Sequence, residues 1–171
     1  FHSTCMSWTW YLANDMQFFV LGLLLLKINL KSVRLGVFLC VLISIGGVVT
    51  GWVLLLKHRN KTQDDYYDKP YTRVTPFTVG VLLGILLVDY QFINTKLSTR
   101  TAQGLMITSL AAILAVVYVD YLNFAHHPKN DRGDFTDEQN AAYQAGGRLV
   151  FALAISCVTW LCVTGHGGPI K

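Results

Sequence analysis

Long apolar runs separated by short polar segments dominate this chain. None of the runs alternates apolar and polar positions with the period of two that a half-buried strand requires. The run without any charge, residues 35–56, is long enough to cross a hydrocarbon core about 30 Å thick. We therefore predict an all-α, polytopic transmembrane helix bundle with about five spans of a larger bundle. The predicted spans lie near residues 16–30, 35–56, 76–90, 105–124 and 148–164.

The composition favours the same interpretation. Hydrophobic residues make up 53% of the chain and charged residues 14%, whereas soluble domains carry roughly a quarter charged residues. The net charge of +4 is spread over short loops without a basic stripe, so nucleic acid is not an expected partner. We predict an integral, multi-pass membrane protein. Lys and Arg are divided almost evenly between the two sides, which leaves its orientation and its membrane open.

Three further features of the chain allow limited predictions: its two ends, Cys5 and a histidine pair. Because the sequence begins at Phe1 and ends just after a glycine-rich turn, we expect a piece of a longer protein. Cys5 lies in a polar segment, where a disulfide and a free thiol are equally open. His126 and His127 are adjacent, but no second pair follows at ligand spacing, so no metal site is predicted.

Several glycines have the spacing of closely packed membrane helices. Gly47 and Gly51 are four residues apart, as are Gly80 and Gly84, and small residues at this spacing let helix backbones approach. We predict tight helix packing at both pairs. The same prediction applies to Gly36, Gly46 and Gly104.

Polar and aromatic residues meet where the first span begins. Asn14, Asp15 and Gln17 follow Trp10 and Tyr11, whose side chains favour the lipid–water boundary. A carboxylate costs about 2.5–3.5 kcal/mol at the centre of a membrane helix and less near its end. Such a residue is expected in a cavity or beside a donor, so Asp15 is the first functional candidate.

A second polar group leads into the third span. It comprises Tyr67, Asp68, Lys69, Pro70, Tyr71 and Arg73. Pro70 and Pro76 restrict the backbone there. An arginine at a helix entrance binds a carboxylate or phosphate in a two-pronged geometry that lysine does not match. Pairing of Arg73 with Asp68 is the structural alternative.

Three segments together resemble the nose-resistant-to-fluoxetine-like branch of the acyltransferase 3 family. They are residues 8–19, residues 67–73 with Gly80 and Gly84, and residues 162–169, in the same order and at compatible spacing. The first is similar to the broader family's signature Trp-Ser-Leu-Ser-x-Glu-x-Gln-Phe-Tyr. On that match, Tyr11 and Ala13 replace the serines. The Trp, Leu, Glu, Gln and Phe of the signature fall on Trp10, Leu12, Asp15, Gln17 and Phe18.

This resemblance implies an integral-membrane acyltransferase. It implies transfer of an acyl group from a carrier, typically acyl-CoA as co-substrate with no bound cofactor, to a hydroxyl of a carbohydrate or lipid-like acceptor. The family's proposed catalytic histidine lies on an earlier transmembrane helix that this chain lacks, so the piece alone is expected to be inactive. Asp15 is then expected to assist that histidine, with Asn14 and Gln17 bonding to acceptor or acyl oxygens.

The remaining candidates are assigned to substrate binding. Lys69 and Arg73 are expected to hold an anionic group or to lock their loop. The other predicted substrate-binding residues are Trp10, Tyr11, Tyr67 and Asp68.

Two other functions stay open at this point. A membrane transporter or a lipid- or drug-handling protein without acyl chemistry also places polar residues at short spans, although the chain shows no internal repeat. A purely structural membrane segment is the third. The acyl group, the acceptor and the oligomeric state are not predicted.

Overall fold

The computed structural model describes residues 9–57, 70–88, 97–126 and 137–166, which form five α-helices. This part of the chain contains no strand, and the predicted all-α class is confirmed. The helices are α1 (Thr9–Lys31), α2 (Val33–Lys57), α3 (Pro70–Val88), α4 (Thr99–His126) and α5 (Asp137–Val163).

Helices α1 and α3 run side by side in the same direction. In the first half of each helix, the rings of Phe18 and Phe77 stack with centroids 5.2 Å apart. Further along both helices, Leu25 and Ile85 belong to one buried apolar cluster. We call the end of the bundle where α1 and α3 begin the entry end.

Helix α2 runs back against α1 after a reversal at Ser32. Only this residue separates the two helices, and Cys40 of α2 joins Leu25 in the apolar cluster. The reversal brings the backbones very close, because a Cβ placed on Gly36 would lie 3.1 Å from the Cα of Asn29. The predicted close packing at Gly36 is therefore confirmed.

Helices α2 and α3 meet at an interface of small residues and hydroxyls. The Ser44 Oγ donates to the Cys40 carbonyl at 2.8 Å and lies 2.6 Å from the Thr78 Oγ1. A Cβ placed on Gly47 would lie 2.5 Å from the Thr75 Oγ1, so no larger residue fits there without movement. Close packing at Gly47 is confirmed. We call Ser44, Gly47, Thr75 and Thr78 the hydroxyl interface.

Helix α5 is tied to α4 and has a well-defined end. The Tyr143 hydroxyl donates to the backbone carbonyl of Val116. At the other end, Gly165 has a φ of +80°, and the His166 N–H donates to the Leu161 carbonyl at 2.9 Å. Glycine adopts this left-handed conformation without the steric cost of a side chain. Gly165 therefore ends α5.

The five helices are each long and apolar enough to cross a membrane. Large apolar side chains remain exposed along the bundle, among them Leu30, Phe38 and Leu114. Such a surface is unfavourable in water but is the ordinary contact of a membrane helix with lipid or with other helices. The protein is an integral membrane protein.

The helices extend further toward the entry end than the predicted spans. Helix α3 begins at Pro70, and Pro76 lies inside it instead of opening it. Proline suits the first helical position, where its missing N–H is not needed. Helix α5 begins at Asp137, well before residue 148, where the predicted fifth span begins. Apolar runs mark only the lipid-embedded part of a helix, whereas its polar first turns continue into the interface.

Four glycines do not pack as predicted. A Cβ placed on Gly46, Gly80, Gly84 or Gly104 would meet nothing within 4 Å. The prediction of close packing at these positions is wrong for the part of the chain that the structure describes. The reason is geometric. Each of these glycines is exposed, so a Cβ at its position would be directed away from the neighbouring helices.

Candidate functional site

A cleft of about 340 Å³ opens near the entry end between α1, α3 and α5. It combines aromatic, amide, carboxylate and guanidinium groups in a bundle that is otherwise largely apolar. The lining residues are Tyr11, Asn14, Asp15, Phe18, Arg73, Pro76, Phe77 and Arg148.

Helix α1 supplies one wall of the cleft. Tyr11, Asn14, Asp15 and Phe18 follow each other at the spacing that places residues on one helix face. Asn14 is buried, with 5% of its surface exposed, whereas Asp15 is exposed. The carboxylate therefore belongs to the accessible part of the cleft, and the amide to its interior.

Helix α3 supplies the facing wall. Arg73, Pro76 and Phe77 again share one helix face, and Phe77 stacks on Phe18 with the ring planes 16° apart. Behind the stack, a Cβ placed on Gly22 would lie 3.1 Å from the Phe77 ring, so glycine leaves room for the ring. This aromatic pair joins α1 to α3 at the apolar side of the cleft.

Helix α5 contributes Arg148, a residue that sequence reasoning used only as the boundary of the fifth span. Its Nη1 donates to the backbone carbonyl of Thr72 at 2.9 Å, and the side chain lines the cleft. In the structure this arginine lies well inside α5, and ionisable residues within membrane-spanning helices usually mark functional sites.

Three charged side chains line the cleft in the part of the chain that the structure describes. They are the half-buried Arg73 and Arg148 and the exposed Asp15. Guanidinium groups remain charged in proteins and match carboxylate and phosphate oxygens in a forked geometry. The two guanidinium groups that line the cleft are thus of the chemical type that binds anionic groups.

Comparison with known proteins decides the family. Residues 1–168 match the acyltransferase 3 family, whose description is "Acyltransferase domain". The chain belongs to this family. No solved structure matches it.

Two proteins of Caenorhabditis elegans are among its relatives. The chain is 31% identical over 190 residues to Nose resistant to fluoxetine protein 6, an alignment that covers 97% of this chain and 22% of that protein. It is 28% identical over 140 residues to Regulator of hypoxia-inducible factor 1, covering 67% of this chain and 28% of that protein. The chain thus spans less than a third of the length of either relative.

The residues that match the acyltransferase 3 signature lie on different sides of α1, and only some of them line the cleft. Asp15 and Phe18, on its Glu and Phe positions, line the cleft together with the predicted residues Tyr11 and Asn14. Gln17 is exposed and is not among the lining residues, because it projects from another side of α1. The side chain of Trp10 lies outside the described part of the structure.

The second predicted group is only partly described. Arg73 lines the cleft as a residue of α3. The predictions for Tyr67, Asp68 and Lys69 lie outside the described residues, as does that for Cys5. Within the ranges that the structure describes, no three His, Cys, Asp or Glu side chains lie together as metal ligands would.

Proposed function

We propose that this chain is part of an integral-membrane acyltransferase that moves an acyl group from a carrier such as acyl-CoA to a hydroxyl of a carbohydrate or lipid-like acceptor. The observation that carries the proposal is the cleft in a chain of this family, where Asp15 shares one volume with Arg73 and Arg148. All three residues lie within helices long and apolar enough to span a membrane, where ionisable residues are rare and usually mark functional sites.

In the proposed reaction, the acceptor oxygen bonds to the acyl carbonyl carbon of a thioester donor. The carbon–sulfur bond breaks, and the proton of the hydroxyl ends on the carrier's thiol. This transfer requires a base for the hydroxyl and donors for the charge that develops on the carbonyl oxygen.

Asp15 is proposed as a positioning residue for the base, a histidine of the full-length protein outside these residues. A carboxylate in this role orients the imidazole and stabilises its protonated form. Asn14, buried in the same wall, offers an amide N–H to an acyl or acceptor oxygen. Gln17 remains a candidate for the same task, although its exposed position places it away from the cleft.

The test is Asp15→Asn in the full-length protein, assayed in membranes with a radiolabelled acyl-CoA donor. Asparagine keeps the shape of the side chain but removes its charge, and we expect transfer to fall by about 10²-fold or more. Glu138→Gln is the matched control, because Glu138 is an exposed carboxylate on α5 that does not line the cleft.

The pH profile of the residual activity separates a role in positioning from a role in folding. Loss of the carboxylate should shift the pH dependence of the base, while expression and melting temperature stay at wild-type values. Unchanged turnover removes Asp15 from the mechanism. A wild-type protein that carries lipid or drug across vesicles without forming acylated product supports the transporter alternative instead.

A further inference from the structure

The cleft has a polar side and an apolar side, which lie at successive levels of the same two helices. Asn14 of α1 lines the cleft one turn before Phe18, and Arg73 of α3 does so one turn before Phe77. One turn of helix advances by about 5 Å, so the aromatic side lies that much further from the entry end. A ligand that enters the cleft therefore meets its polar groups first and its aromatic groups at greater depth.

The stacked rings of Phe18 and Phe77 form the inner end of the cleft between α1 and α3. Both side chains are half-buried, and their ring planes are 16° apart. One turn further along the two helices, Leu21 and Val81 already pack against the buried apolar cluster. A close-packed core leaves no space for additional atoms. Between these helices, the cleft therefore ends at the two rings.

Gly22 determines how far the Phe77 ring lies from the cleft. This buried glycine follows Phe18 by one turn of α1, on the core side of the two rings. A Cβ placed on Gly22 would lie 3.1 Å from the Cζ of Phe77, whereas carbon atoms prefer separations of about 3.5–4.0 Å. A methyl group at residue 22 would therefore displace the ring. The depth of the cleft thus depends on two rings and one glycine.

We propose that Phe18, Phe77 and Gly22 set the length of the acyl chain that the cleft accepts, with the end of the chain resting against the two rings. The inference rests on the proposed function, because the acyl chain is the apolar part of the donor. The cleft volume of about 340 Å³ is near the lower end of the range of about 300–1,000 Å³ for small-molecule sites. Acetyl and butyryl groups are therefore the expected substrates, and octanoyl is too long.

The test is the chain-length profile of the full-length protein in nanodiscs, with acetyl-, butyryl-, hexanoyl- and octanoyl-CoA as donors. A single methylene group in an apolar pocket changes kcat/KM by about 10–200-fold. We expect kcat/KM for octanoyl-CoA to be about 100-fold or more below that for acetyl-CoA in the wild type. Phe77→Ala and Phe18→Ala should each raise the octanoyl-to-acetyl ratio by about tenfold or more.

The ratio of two donors is insensitive to partial misfolding, because both rates scale with the same amount of folded protein. Phe77→Leu is a milder variant that keeps an apolar side chain, and it should give a ratio between those of wild type and Phe77→Ala. Phe38→Ala is the matched control, because Phe38 is exposed on α2 and does not line the cleft. Its ratio should equal that of the wild type.

Gly22→Ala tests the same inference in the opposite direction. The added methyl group displaces the Phe77 ring toward the cleft, so the octanoyl-to-acetyl and hexanoyl-to-acetyl ratios should fall further below the wild-type values. Gly104→Ala is the control, because a Cβ there meets nothing within 4 Å. Unchanged or higher ratios in Gly22→Ala remove Gly22 from the proposal.

A binding measurement gives a readout that does not require acyl transfer. The probes are thioether analogues of coenzyme A with ethyl, butyl, hexyl and octyl chains, which have no carbonyl group to react. After correction for binding to empty nanodiscs, the octyl analogue should bind the wild type more weakly than the ethyl analogue. Phe77→Ala should reduce that difference.

These outcomes separate the chain-length inference from the proposed function. Acyl transfer with the same chain-length profile in the wild type and in the Phe18 and Phe77 variants overturns the chain-length inference alone. Equal binding of all four analogues by the wild type also overturns it. Chain-length-dependent binding by a wild-type protein that never transfers an acyl group overturns the proposed function alone.

Discussion

The face of α3 that packs on α2 and the face that lines the cleft both carry polar groups, but they satisfy them differently. On the packing face, the Thr78 hydroxyl bonds within the protein to Ser44 and to its own helix backbone, and Thr78 is fully buried. On the cleft face, Arg73 lines an open volume beside an exposed carboxylate. Neutral hydroxyls that are satisfied internally hold helices together, whereas ionisable residues around an opening in a membrane bundle usually mark a functional site.

This comparison predicts that changes on the packing face affect stability and that changes on the cleft face affect binding. The largest effect on stability is expected from Gly47→Ala. The added Cβ would lie 2.5 Å from the Thr75 Oγ1 and 3.0 Å from the Val74 Cγ1, so these side chains or the two helices must shift. Overpacking of this kind costs about 1–3 kcal/mol. The measurement is the melting temperature of the full-length protein in detergent.

Gly46→Ala is the control for that experiment, because a Cβ there meets nothing within 4 Å. It should melt like the wild type. Equal melting temperatures for Gly47→Ala and Gly46→Ala would show that α2 and α3 are further apart at Gly47 than the structure indicates.

Next in size is Arg73→Lys on the cleft face. Lysine keeps the charge but not the bidentate geometry, so we expect donor binding about tenfold weaker, equivalent to about 1.4 kcal/mol. The melting temperature should not change. Arg34→Lys, at an exposed position at the start of α2, is the control. A lower melting temperature with unchanged binding would place Arg73 with the packing residues.

A smaller effect is expected from Thr78→Val on the packing face. Valine removes the hydroxyl that lies 2.6 Å from the Ser44 Oγ. Hydrogen bonds between membrane helices contribute about 0.6 kcal/mol on average. Thr108→Val is the control, because the exposed Thr108 hydroxyl bonds only within α4, to the Gly104 and Leu105 carbonyls. Equal stability of the two variants would mean that the Ser44–Thr78 pair contributes nothing across the interface.

The smallest effect is expected from Gly80→Ala and Gly84→Ala. Neither added Cβ meets an atom within 4 Å, and alanine favours a helix over glycine. Stability should change by no more than about 0.5 kcal/mol. A marked loss in the full-length protein would reveal a segment outside the described residues that packs on this face.

Much of the fold follows from local patterns. The apolar runs identified all five helices, since burial in lipid requires a continuous stretch of apolar side chains. Helix starts were less predictable, as α5 shows, because the first turns at Asp137 are polar and carry no hydrophobic signal. The glycine pairs illustrate the same limit. Spacing alone does not distinguish Gly47, which contacts a neighbouring helix, from Gly80, which faces outward.

The candidate site was predictable in part for a similar reason. Asp15 stands out because a carboxylate at a membrane span is costly wherever the helix packs. Arg148 did not stand out, since near a span boundary an arginine is commonly an interfacial anchor. Its position is fixed by a hydrogen bond to the Thr72 carbonyl, which lies on a different helix and is not visible in the sequence.

The amino-acid sequence by itself determined that this is an all-α membrane protein of the acyltransferase 3 family with a polar group where its first span begins, because composition, apolar run length and motif order are properties of the chain alone. Only the tertiary structure decided that Asp15, Arg73 and Arg148 share one cleft while Gln17 faces elsewhere. Helix packing sets which residues distant in the chain become neighbours, and the rotation of each helix about its axis is fixed by contacts with other helices.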